Sequence, residues 1–187
     1  MEARFKKWHQ DIDNITNQFL NKFADIGYNE LNWKPEPKRW SIGQVIEHLL
    51  ITNRSYFVIP DKIKSNNYKP SFLNNFGFIP KLIGNIILKS VDPNNEKKVK
   101  TMKVFEPEKS NIDLTVFSDF DESQQKLHEF INDNKDMIRE RKIIPSPLNK
   151  HIIYHFDIVI DIVVNHQKRH YNQANKVFEI LNSDGNL

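Results

Sequence analysis

Hydrophobic residues recur at intervals of three and four over much of the chain, the spacing that places side chains on one face of an α-helix. Phe5, Trp8, Ile12, Ile15, Phe19 and Phe23 keep that spacing and predict a first helix over roughly residues 2–26. The run NWKPEPKRW, with prolines at 35 and 37, then breaks the chain. Ser41-Ile-Gly-Gln44 has the form of a capping box, and Trp40 and Val45 stand where a hydrophobic staple packs, so a second helix starts sharply at this point. Its apolar arc is Ile42, Val45, Leu49, Thr52 and Tyr56, and it ends near Pro60. A third helix is predicted from about Asp119 to Arg141, with Phe120, Leu127, Phe130, Ile131, Asn134 and Ile138 facing inward, before IIPSP stops it. The fourth covers roughly residues 151–182.

Five glycines and few alternating apolar runs argue against a β-rich fold. The pattern predicts an all-α four-helix bundle, one domain over residues 1–187, with a long crossover between the second and third helices. Within the crossover FIPKLIGNIIL predicts a short helix and VFEPEKSNIDL an extended segment.

Composition narrows the reading. At 187 residues the chain can bury a proper core, and 39% hydrophobic with 27% charged residues is ordinary for a globular protein. A net charge of +3 is too small to imply nucleic acid, and the basic stretch EKKVKTMK (96–103) reads as a solvated loop. Without cysteine there is no disulfide framework, thiolate ligand or cysteine nucleophile. MEARFKKWHQDID lacks the apolar run of a signal peptide, and Asp157 and Asp161 interrupt the longest apolar stretch. The expectation is a cytoplasmic protein with no membrane or nucleic-acid partner.

The chemistry gathers on the fourth helix. At about 100° per residue, Ile152, Phe156, Val159, Val163, Ala174, Val177 and Leu181 form one arc, with Asp157, Asp161, Lys168 and Glu179 opposite. His166 and His170 lie in the middle of the apolar arc, about 6 Å apart along the axis, with Gln173 one turn on. Two inward histidines at i and i+4 have the spacing of zinc-type chelation. The alternative is a pair of neutral core histidines hydrogen-bonded to side chains or water. His48, at the margin of the second helix's apolar arc, is placed to complete a three-histidine set. Three neutral nitrogens and one open position make a catalytic rather than a structural metal site. Gln44 and Gln173 are candidates to orient ligands or water.

The other histidines carry less. His155 shares the fourth helix's face but lies about 16 Å from His166 by helical rise, while His9, His128 and His151 read as solvated surface. Glu47 is rotated away from His48, leaving no evident carboxylate base. Arg169 is expected to make a surface ion pair with a carboxylate.

WSIGQVIEHLL (40–50) and HQKRHYNQ (166–173) together resemble the DinB-like superfamily, also described as DinB/YfiT-like metal-dependent hydrolases. The first matches that family's Trp-Ser/Thr-x-x-Gln-x-x-x-His; the second matches its His-x-x-x-His, with Arg before the second histidine and Gln three after it. The resemblance spans essentially the whole chain. It implies a four-helix bundle, often dimeric, that holds one divalent ion (zinc or nickel) on His48, His166 and His170. It also implies a pocket built from the crossover, here residues 66–117. Members include enzymes that add or use low-molecular-weight thiols, and the hydrolase name is largely inherited.

Two functions compete. One is a metal-dependent enzyme, a hydrolase or thiol S-transferase with a small-molecule substrate. The other is a non-enzymatic bundle in which the ion staples two helices and the domain serves as an interaction or sensor module. A homodimer is an expectation in either case.

Overall fold

A computed structural model describes residues 1–65, 77–95, 97 and 100–183. Among the described residues the chain is an all-α bundle with one small sheet. Four long helices form it: α1 (Glu2–Phe23), α3 (Ile42–Phe57), α6 (Val116–Asp133) and α8 (Phe156–Ser183). Each of α1 and α3 packs against both α6 and α8. Short helices α2 (Tyr28–Asn32), α4 (Ile59–Lys64) and α7 (Lys135–Arg139) flank them, and α5 (Ile79–Ser90) lies in the crossover against α8.

Periodicity placed the inward faces well. Every residue assigned to the inner face of the first three helices is buried. The Ser41 hydroxyl accepts from the Gln44 N–H at 3.2 Å while the Gln44 side chain accepts from the Ser41 N–H at 3.4 Å, closing the capping box that starts α3.

Three boundaries differ from the sequence reading. The expected third helix breaks after Asp133 because the Asn134 side chain donates to the Phe130 carbonyl at 2.8 Å, a local bond that competes with helical continuation. The fourth helix begins at Phe156, not near residue 151. Ile153–His155 is instead strand β2, antiparallel to β1 (Ile143–Pro145), with Ile144 opposite Tyr154. The segment VFEPEKSNIDL is mostly irregular, with a 3-10 turn at Lys103–Phe105 and no strand.

The core is in two parts. One cluster contains Trp8, Ile12, Tyr56, Leu127, Phe156 and Val163; the other contains Ile15, Phe19, Leu49, Phe120, Ala174 and Val177. Between them lies a buried polar belt drawn from all four long helices. Gln124 donates to Thr16 Oγ1 at 3.0 Å and to Gln167 Oε1 at 2.8 Å; Gln167 donates to Asn53 Oδ1 at 3.4 Å, and Asn53 to Ser123 Oγ at 3.1 Å.

Asp157 and Asp161 lie opposite the apolar arc, on a side of α8 that residues of α1 cover. Asp157 is buried and pairs with Arg4 at 2.6 Å and Arg141 at 3.3 Å; Asp161 accepts from Arg4 at 2.8 Å and from the Trp8 indole at 2.7 Å. Because α1 lies along this side of α8, the two carboxylates act as its polar anchors. The described residues of the basic stretch, Lys97 and 100–103, are mostly exposed as expected; Glu96, Lys98 and Val99 lie outside the described residues. Among the described residues no helix is long and apolar enough to cross a membrane.

Candidate metal centre

The α3 cap fixes where His48 stands, on the second turn of that helix, buried and facing α8. His166 and His170 meet it from the middle of α8, His170 buried and His166 half-buried. The three Nε2 atoms converge: His166 lies 3.2 Å from His48 and 3.1 Å from His170. Two nitrogens bound to one tetrahedral ion at about 2.0–2.1 Å stand about 3.3 Å apart, so the cluster has nearly the span a divalent ion requires.

Protonation suits the same use. The His48 Nδ1–H donates to the Phe105 carbonyl at 2.7 Å, which leaves its Nε2 lone pair toward the cluster. Burial holds His48 below the usual histidine range, against the effect of that bond. His166 is lowered to about 3, by burial first and then by His48 and Arg169. His170 is pushed well below the usual range by burial, His166 and His48, with Gln173 opposing. All three are therefore neutral donors near pH 7. Among the described residues the cluster contains these three histidines and no carboxylate or further histidine.

The surroundings correct several expectations. Gln44 does not orient a ligand: its Nε2 donates to the Lys109 carbonyl at 3.1 Å and ties the crossover to α3. Trp40 leans on the site, with its ring 4.9 Å from His48 and nearly parallel to His170 at 6.3 Å. Among the described residues Arg169 makes no carboxylate pair; its guanidinium donates to the carbonyls of Asp92 at 3.2 Å, Lys97 at 2.6 Å and Asn95. That holds a crossover loop beside the histidines. Glu47 is half-exposed and stands outside the cluster.

His155 lies on β2, where its Nδ1–H donates to the Arg141 carbonyl at 2.7 Å, and His151 is exposed in the turn before it. His9 and His128 are half-buried and bonded to each other, where solvated surface was expected. The open grooves between α1 and α8, lined by Asn14, Gln18 and Tyr171, include none of the triad. Within the crossover expected to form a pocket, residues 66–76, 96, 98 and 99 lie outside the described residues.

A family model of the DinB superfamily matches residues 11–174, a span that contains all four long helices in whole or in part and the complete histidine cluster. The chain belongs to the DinB superfamily. No curated protein and no solved structure matches it. Membership in the DinB superfamily and a buried histidine triad within ligating distance fit a metal-binding protein and suggest a divalent ion. The signals that located the triad were the i, i+4 pair and the inward margin of the second helix. The tether to Phe105 carried no sequence signal, because its acceptor is backbone.

Proposed function

We propose that this DinB-superfamily protein is a divalent-metal-dependent enzyme of thiol-transferase or hydrolase type. Its substrate is a small molecule that meets the ion, zinc or nickel, at the position left open by His48, His166 and His170. The observation that carries the reading is the convergence of three neutral Nε2 atoms with no fourth protein ligand in the described cluster. When bound, the ion supplies Lewis acidity to a water or thiol beside it, and thiol chemistry asks less of a protein base than hydrolysis does. The lack of a carboxylate in the cluster therefore favours a low-molecular-weight thiol as partner. In this scheme the Phe105 carbonyl keeps His48 in one tautomer, Trp40 shields one side, and Arg169 holds the crossover loop against the site.

A second reading is a closed staple joining α3 to α8, supported by the derivation of the triad from two helices and by grooves that lie away from it. Elemental analysis of tag-free protein and of His48→Ala and His170→Ala separates these readings. The expected result is near-stoichiometric zinc or nickel, lost in both variants, with thiol-dependent turnover in a screen of electrophiles. Unchanged metal in His170→Ala would overturn the site. Loss of several kcal/mol of stability on chelation, without turnover, would favour the staple.

A further inference from the structure

A second group of ligating side chains stands away from the triad. His9 and Asp13 lie one turn apart on α1, and His128 faces them from α6. The Nδ1 atoms of His9 and His128 are 2.5 Å apart, their ring centres 4.8 Å apart and their planes only 16° from parallel. Rings stacked face to face cannot bring two atoms that close, so these imidazoles meet edge to edge, the His9 Nδ1–H aimed at the Nδ1 lone pair of His128. The outer nitrogen of His128, Nε2, donates to Asp13 Oδ1 at 2.9 Å, the carboxylate–imidazole arrangement that orients a metal-bound histidine and raises its basicity.

We propose that His9 and His128 form a second divalent transition-metal site, a clamp between α1 and α6 with Asp13 as its orienting carboxylate. Two imidazole nitrogens select zinc, nickel or copper(II) over magnesium or calcium. The Nδ1 atoms must move from 2.5 Å to about 3.3 Å apart to share an ion, which two half-buried side chains achieve by small torsional swings. His9 moves its proton from Nδ1 to Nε2 through solvent, so binding to the neutral pair releases none. Burial, His128 and Lys135 all hold His9 below the usual histidine range, which keeps the His9 ring available as a neutral ligand at neutral pH.

The test is a calorimetric titration of the full chain with Zn²⁺, Ni²⁺ and Mg²⁺ in a His48→Ala, His170→Ala background, which removes the triad from the count. One equivalent of Zn²⁺ or Ni²⁺ should remain and should vanish on adding either His9→Gln or His128→Gln. Asp13→Asn should weaken it by roughly 10–100-fold. Because the background variant can fail to fold, the wild type is also followed by imidazole ¹⁵N NMR. Zn²⁺ should there move Nδ1 of both histidines and Nε2 of His9, which gains the proton, and leave the Nε2 resonance of His128 in place. Stoichiometry unaffected by the His9 and His128 substitutions, equal binding of Mg²⁺, or unmoved Nδ1 resonances would overturn the site.

Discussion

Replacing Gln167 with Leu tests whether the buried belt is a network or a set of incidental contacts. Leucine fills nearly the same volume, so the cavity term is small and the loss is polar. One Gln124 N–H loses its acceptor at 2.8 Å and Asn53 Oδ1 loses a longer donor at 3.4 Å. Leaving a buried polar group unpaired costs about 1–3 kcal/mol, and the longer bond weighs at the low end, so the variant should lose about 2–4 kcal/mol. For a chain of this length that is a fall in melting temperature of roughly 5–15 °C. Gln124→Leu should cost less, because Gln124 Oε1 is already buried without a partner among the described residues. The double variant removes donor and acceptor together, so its cost should fall short of the sum of the singles by about 1–2 kcal/mol. Urea titrations of the four proteins, followed by circular dichroism with chelator present, give all three numbers. Strict additivity would refute the reasoning, since it would mean the two amides do not sense each other.

The ion-free protein should also lose stability in acid. His48, His166 and His170 are held below their ordinary range in the folded chain, whereas unfolded histidines take up protons below about pH 6.5. Stability is therefore full above about pH 6.5 and falls as pH drops toward the folded values, by about 1 kcal/mol per histidine between pH 7 and 5.5; equal urea midpoints at the two pH values would contradict this. Gly43→Ala should destabilise by about 1–2 kcal/mol despite alanine's better helix propensity, because its Cβ would meet Ile112 Cβ at 2.9 Å and Leu31 Cγ at 3.1 Å. A raised melting temperature in that variant would show that Ile112 moves aside freely.

What could be read in advance was what depends on neighbours in the chain. The Ser41–Gln44 cap is a four-residue device, and the inward faces of α1, α3 and α6 follow from helical spacing alone. The histidine cluster was legible for the same reason: His166 and His170 share a turn-to-turn register, and His48 borders its helix's apolar arc. What failed depends on remote partners. Ile152 to His155 continues the helical period of α8, and only pairing with Ile143–Pro145 draws residues 153–155 into a strand. Asp157 and Asp161 sit opposite the apolar arc, yet Arg4 and Trp8 of α1 cover that side. Nothing local pairs His9 with His128, 119 residues away.

The crossover is fastened to the rest of the molecule largely through its own main chain. Gln44, His48 and Arg169 grip the carbonyls of Lys109, Phe105, Asp92, Asn95 and Lys97, and Asn32 holds both the N–H and the carbonyl of Ile112. A main-chain peg is indifferent to the side chain at its position. Evolution can therefore rewrite these residues, the core side chain of Ile112 excepted, and with them whatever the crossover presents to a substrate, while the histidine beneath keeps its orientation. What such a segment tolerates poorly is a change of length, because one inserted residue would move every later peg out of reach of its holder.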